Sequence, residues 1–317
     1  MNSIKCRISV VVSIYNEQAV LRAFWEELKR AISSAHEITA EYIFIDDGST
    51  DDSGAILDGF AKEGKSVKVI HFSRNFGHEA AMIAGIDHAA GDAVVCLDGD
   101  LQHPPELIEK MAHKFLEGYE IVNMMRSENK GGGLIKDLSS KLFYAVLNRL
   151  LAVKFEPNAS DFFLISRRVA DILKKDFRER ARFLRGFIQI IGFRKILIEF
   201  IAPARAGGAS KYSYPKLLML SVTAIATFSK VPLRIAVILG VLFGAFSIIV
   251  GLFSIVMKYL QNPVSGYTTI VVMISFMFGV QLFIIGILGE YIGFLFDEGK
   301  KRPLYLVDKT VSDSENG

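Results

Sequence analysis

Asp98-Gly99-Asp100 places two carboxylates on either side of one glycine, and it is the segment of this 317-residue chain best suited to chemistry. Like charges held so close repel, and a hard divalent cation with oxygen ligands relieves the repulsion. Magnesium is commonly held by one or two carboxylates while substrate phosphates complete its shell. Gln102-His103-Pro104-Pro105-Glu106 follows directly. Three further clusters precede it: Ser13-Ile14-Tyr15-Asn16-Glu17, Asp46-Asp47-Gly48-Ser49-Thr50-Asp51 and Ser73-Arg74-Asn75-Phe76-Gly77. Asp46 and Asp47 are also able simply to cap or turn the chain, and Asp51 suits the first turn of a helix, where the dipole favours negative charge. A lone Asp-x-Asp is a weak signal. Four such clusters in this order are a strong one.

Each cluster lies at the end of an apolar run, at 8–14, 42–45, 67–72 and 93–97, and a fifth run spans 121–125. Between the runs, apolar residues recur with helical spacing, as in Val20, Leu21, Phe24, Trp25, Leu28 and Ile32. The alternation predicts an α/β fold with a mostly parallel sheet covered by helices on both faces. Ligands of such sheets bind at the carboxyl ends of the strands, where the clusters sit.

With 51% hydrophobic residues the chain is too apolar for disorder, and two cysteines exclude a disulfide scaffold. Cys6 and Cys96 fall in strand-like runs and are expected as buried, reduced thiols. The apolar excess, a mean hydropathy of +0.33, is concentrated late in the chain. Residues 235–257 and 259–289 contain no charge, and each run exceeds the roughly 20 residues that cross a bilayer core. Two spans joined by a short loop at 261–267 form a hairpin. Lys216, Lys230 and Arg234 precede it and Lys300, Lys301 and Arg302 follow it, whereas only Lys258 lies at the connection. The positive-inside rule then places the N-terminal region and both termini in the cytoplasm, in a multi-pass protein of the inner or plasma membrane. No cleavable signal peptide is expected, because the run at 8–14 is short and ends in Asn16-Glu17. Gly240, Gly244, Gly251, Gly279, Gly286 and Gly289 permit close helix packing.

The net charge of +3 is too small to imply a nucleic-acid partner, and no reader motif or stacking platform is present. Its distribution is uneven: from Arg167 to Lys216 there are thirteen lysines and arginines against four acids. Phe183, Phe187, Ile190 and Ile191 interleave with Arg180, Arg182 and Arg185, a pattern expected of a basic helix lying on anionic membrane lipids. A second surface helix is expected at 217–228.

In their order, the strand-end clusters resemble glycosyltransferase family 2. The likeness is narrowest to the polyprenyl-phosphate glycosyltransferases, the bactoprenol glucosyltransferases with dolichol-phosphate mannose synthases as cousins. It continues through His78-Glu79, Asp161-Phe162, the stretch from Arg205 to Lys211, and Lys300-Lys301-Arg302-Pro303-Leu304-Tyr305. It implies a GT-A, Rossmann-like nucleotide-sugar domain over 1–165 and basic membrane-interface helices completing the active site over 166–230. Two transmembrane helices over 231–296 and a cytoplasmic tail over 297–317 follow. By the same resemblance, Tyr15, Asn16, Glu17, Asp46 and Asp47 hold the base and ribose of a UDP-sugar. Asp98, Asp100 and Gln102 bind magnesium or manganese at the diphosphate, Asp98 also touching the donor. Arg74, Arg126, Arg205, Ser210 and Lys211 meet donor or acceptor groups. Asp161 stands beside the reacting centre, as a general base or as a group orienting Arg205 or a sugar hydroxyl.

The implied reaction is inverting transfer of a sugar, glucose foremost, to undecaprenyl phosphate at the cytoplasmic membrane face, by a homo-oligomer. The chain departs from the family pattern at Ser13, where proline is common, at His103, where aspartate is common, and in the less basic loop 127–136. A processive polysaccharide synthase needs a Gln-x-x-Arg-Trp site, and the one tryptophan is Trp25 in the first helix. A non-catalytic membrane scaffold is disfavoured by intact acids at three strand ends.

Overall fold

The structure, a computed structural model, describes residues 6–64, 66–127, 159–180, 184–203, 229–260 and 266–312. Arg205, Ser210, Lys211, the loop beyond Ser127 and the surface helix expected at 217–228 lie outside them. The chain divides into two compact units, one of Met1–Tyr144, Val153–Lys211 and Arg302–Gly317, the other of Ala145–Ala152 and Tyr212–Lys301.

Among the described residues, the first unit forms an eight-stranded sheet in the order β7-β5-β6-β4-β1-β2-β3-β8. Its strands are β1 (Cys6–Ile14), β2 (Ile38–Asp46), β3 (Val67–Phe72), β4 (Ala93–Asp98), β5 (Ile121–Arg126), β6 (Ala159–Ser166), β7 (Lys195–Phe200) and β8 (Val307–Ser312). The helices α1 (Leu21–Ser34), α2 (Ser53–Glu63), α3 (His78–His88) and α4 (Leu107–Leu116) follow the first four strands in turn, and α5 (Arg167–Asp176) and α6 (Leu184–Ile190) follow β6. β1 pairs in parallel with β2 and β4, and β2 with β3, so the carboxyl ends of these four strands share one edge. β6 and β8 run antiparallel to their neighbours, which makes the sheet mixed. Within the segment 297–317, expected to be a tail, residues 307–312 therefore supply an edge strand of this sheet.

Alternate residues of β1 explain the two layers of helices. Ile8, Val10, Val12 and Ile14 belong to a core shared with α1, α2 and α4. Trp25 sits in that core, with Tyr42 and Phe44 edge-on at 4.9 and 5.5 Å and Phe60 stacked at 5.3 Å. On the opposite face Val11 meets α3, where a Cβ added at Gly85 would lie 2.0 Å from Val11 Cγ1. Gly85→Ala is accordingly expected to cost about 1–3 kcal/mol by overpacking. A Tm several degrees below wild type in thermal unfolding of the purified protein is the check; an unchanged Tm contradicts this close packing.

Among the described residues, the second unit contains α7 (Val231–Tyr259) and α8 (Tyr267–Gly299), both strongly apolar and almost wholly exposed. Core helices of a soluble protein would be covered, so these are helices long and apolar enough to cross a membrane. They pair antiparallel, because the Tyr291 hydroxyl donates to the Ser229 carbonyl at 2.7 Å while Phe243 meets Phe276 at 5.6 Å.

Candidate active site

Each of the four loops leaving β1 to β4 contains one residue in the left-handed region: Asn16 (φ 55°), Gly48 (67°), Gly77 (95°) and Leu101 (63°). Asparagine and glycine enter this region readily, whereas for Leu101 it stores strain. At Gly48 a side chain is also sterically excluded, since a Cβ would lie 2.5 Å from the carbonyl carbon of Arg74. The β2 and β3 loops approach this closely because residue 48 is glycine.

Hydrogen bonds then fix the loops to one another. The Asn16 backbone N–H donates to Ser49 Oγ at 3.0 Å, the Glu17 N–H to Ser53 Oγ at 3.0 Å, and the Thr50 N–H to Asn16 Oδ1 at 2.8 Å. Tyr15 remains 40% exposed above them. Asp46 and Asp47, expected to hold base and ribose, spend their oxygens on the protein itself. Asp46 accepts from the Ser49 N–H at 2.9 Å and pairs with His71 Nδ1 at 2.8 Å. Asp47 accepts from the N–H groups of Phe76 at 2.7 Å and Gly77 at 2.9 Å. Arg74 lies 4.0 Å from the centre of the Phe76 ring and, with Phe76, Arg180, Arg302 and Leu304, lines a cavity of about 430 Å³.

Asp98, at the end of β4, is the centre of the constellation. His78, the first residue of α3, is held by Ser13 Oγ, 2.8 Å from its Nδ1. The same ring faces Asp98 Oδ1 at 3.4 Å and Asp161 Oδ2, on β6, at 3.5 Å. Burial works against its charged form, but Asp98, Asp161 and Glu79 outweigh it and raise the His78 pKa to about 10. Asp161 is in turn gripped by Arg185 of α6, whose Nε and Nη2 donate to both carboxylate oxygens. Burial would raise the Asp161 pKa, yet Arg185 and His78 hold it far below the usual carboxylate range. Burial, reinforced by Asp161 and Asp100 against the pull of His78, pushes the Asp98 carboxyl up to about 6.

His103 is buried beneath these groups and stacks on Phe162 at 5.2 Å. The Asp98 N–H donates to its Nδ1 at 3.0 Å, which puts the proton on Nε2, 3.2 Å from Ser160 Oγ. Burial and then Arg126 lower its pKa to about 3, so it is a neutral prop under Asp98. Arg126 leaves β5 toward the same edge, 3.4 Å from His103 Nε2. The Gln102 N–H donates to Asp100 Oδ1 at 3.1 Å, folding the loop back over the β4 exit.

The structure thus gathers Asp98, Asp100, Gln102, Arg126 and Asp161 at one edge. The side chains of Asp98, Asp100 and Gln102 offer carboxylate and amide oxygens of the kind magnesium or manganese takes, and Asp98 and Asp100 set two like charges close together. Among the described residues no three His, Cys, Asp or Glu side chains gather into a metal site of their own.

The sequence assigned no role to His78 and placed Arg185 on a membrane surface. That expectation needs correcting: Phe187 and Ile188 are buried within the first unit, and Arg185 turns to Asp161. Arg178 likewise pairs with Asp87 at 2.8 Å, and Arg167 donates to the carbonyls of Ala89 at 2.9 Å and Gly91 at 2.8 Å. Much of the local basic charge is spent inside the fold.

The family model for glycosyl transferase family 2 matches residues 9–173. The chain is 37% identical over 303 residues to the uncharacterized glycosyltransferase YkcC of Bacillus subtilis, covering 95% of this chain and 93% of that one. It is 36% identical over 305 residues to the SfII prophage-derived bactoprenol glucosyl transferase of Shigella flexneri, covering 96% and 98%. Among solved structures, glucosyl-3-phosphoglycerate synthase from Mycobacterium tuberculosis in complex with Mn2+, UDP-glucose and phosphoglyceric acid is similar with a TM-score of 0.44. That pair is 22% identical, over 70% of this chain and 78% of the other.

Proposed function

The chain belongs to glycosyltransferase family 2, and from that we propose that it moves glucose from UDP-glucose to a polyprenyl phosphate, inverting the sugar carbon, on the cytoplasmic face of a membrane. The likeness to the bactoprenol glucosyl transferase of Shigella flexneri carries this reading, because it covers 98% of that protein and spans both the acid-rich strand ends and the two long apolar helices.

The chemistry asks for charge stabilisation at a leaving diphosphate and for placement of an acceptor that is already an anion. A divalent cation held by Asp98, Asp100 and Gln102 would neutralise the leaving group. Arg126, on the same strand-end edge, adds a positive charge there. Asp161, gripped through both oxygens by Arg185, is a poor base and a good fixed acceptor for a sugar hydroxyl. An anionic lipid phosphate needs no base, which supports the orienting role. Arg205, Ser210 and Lys211 are assigned to the acceptor phosphate, and Tyr15 with the Asn16-Glu17 loop to the nucleoside. Anionic lipids and a second copy of the chain are the proposed membrane partners.

Radiolabelled UDP-glucose with undecaprenyl phosphate and magnesium is expected to yield a labelled lipid with the purified protein. Labelling from a mannose or modified-arabinose donor and none from UDP-glucose would replace the donor assignment. Topology has its own test, against a low background, since Cys6 and Cys96 are buried. In intact cells an impermeant thiol reagent is expected to label Asn262→Cys and to spare Ser34→Cys. The reverse pattern overturns the cytoplasmic active site.

A further inference from the structure

His71 is 6% exposed and has a carboxylate at each ring nitrogen. Its Nδ1 lies 2.8 Å from Asp46 Oδ2 and its Nε2 2.8 Å from Asp58 Oδ1 of α2. The other Asp58 oxygen accepts from Lys309 Nζ of β8 at 2.6 Å. Sheet register makes this a lateral row, because Asp46 pairs with His71 across β2–β3 and His71 with Lys309 across β3–β8. Two carboxylates, a doubly protonated imidazole and an ammonium balance in charge, and both ring nitrogens can donate only in that form. The close packing of Gly54 leaves the row little room to move, since a Cβ there would lie 3.0 Å from Asp46 Oδ2 and 3.5 Å from His71 Cε1.

The row does not end in the core. Asp46 receives the Ser49 N–H at 2.9 Å, and Ser49 Oγ receives the Asn16 N–H at 3.0 Å, beside Tyr15. We propose that His71 is a positioning residue for the nucleotide-sugar donor. It holds the turn from Asp46 to Ser49 in its binding shape, and Lys309 completes the row, so the strand that follows the second apolar helix tunes donor affinity. This rests on the donor reading given above, and it explains why Asp46, at the mouth of the site, turns its oxygens inward.

The test compares His71→Phe, Lys309→Met and Lys309→Arg in the full-length, detergent-purified protein, by calorimetric binding of UDP-glucose and by donor KM and kcat. His71→Phe is expected to weaken donor binding about tenfold or more, the scale of losing charged hydrogen bonds. Lys309→Met is expected to weaken it about threefold, and Lys309→Arg to restore it. The loss should fall in donor KM more than in kcat. Should His71→Phe fail to fold, the exposed Lys309 pair decides alone. Donor affinity equal to wild type in folded variants overturns the row as a positioning device, as does a fall confined to Tm or active fraction. Wild type without saturable UDP-glucose binding overturns the donor reading itself, and this proposal with it.

Discussion

Asp100→Ala is expected to lose at least about a thousandfold in sugar transfer, which at ~1.4 kcal/mol per tenfold is some 4 kcal/mol of transition-state stabilisation. The size follows from the role proposed for the carboxylate: with Asp98 it concentrates negative charge at the β4 exit, and a cation held there would oppose charge building on the leaving diphosphate. Folding should survive, because Asp100 lies in a loop outside the hydrophobic core. Wild type in excess chelator should fall to the level of the variant, and the variant should respond to neither chelator nor added metal. Circular dichroism and recovery from the membrane fraction establish that the variant is folded and inserted. Full turnover by Asp100→Ala, or by wild type with chelator, removes the metal from the mechanism.

Asp161→Asn and Arg185→Gln are each expected to lose about a hundredfold to a thousandfold in kcat, and the double variant no more than the worse single one. Arg185 grips both oxygens of Asp161, and glutamine cannot reproduce the paired donation of a guanidinium. Removing either partner leaves the other misplaced beside Asp98 and His78, so the two act as one unit. The rate–pH profile separates the roles of Asp161. A general base would show a limb that Asp161→Asn abolishes, whereas an orienting carboxylate already held far below the usual range leaves the profile unchanged in shape. Multiplicative losses in the double variant, or loss of such a limb, would sink the orienting assignment.

The sheet and the position of its site were legible because β1 to β4 each announce themselves twice, by an apolar run and by a turn-forming cluster at its end. Asp98-Gly99-Asp100 needed no distant information. His78 did, since its partners Ser13, Asp98 and Asp161 come from three other strands or strand ends, and a histidine at a helix start carries no local mark of such a role. Arg185 was misplaced for a related reason. Basic and apolar residues alternate around it as they do on a membrane-surface helix, and only the fold reveals Phe187 turned inward and a carboxylate across from the guanidinium. β8 was invisible because Val-Asp-Lys-Thr-Val-Ser is short, mostly polar and follows a long apolar helix, where a trailing segment is the simpler expectation. Asp46 shows the limit from the other side. Its type and place were recognised, but which way its oxygens face depends on His71, 25 residues away.

The pairing of β8 with β3 also bears on how the protein is made. A ribosome delivers the first seven strands, then both apolar helices, and only afterwards the residues of β8. Until that moment β3 presents an unpaired edge, the kind of surface on which nascent chains join one another. The Ser73 N–H has yet to find the Leu306 carbonyl, 3.0 Å away in the finished fold, and Phe72 waits for Tyr305 to stack on it at 5.1 Å. Completion of the soluble sheet is thus deferred until after the hydrophobic hairpin has emerged. A chain that ends before residue 307 would carry an open sheet edge into quality control, and that edge distinguishes it from a finished protein.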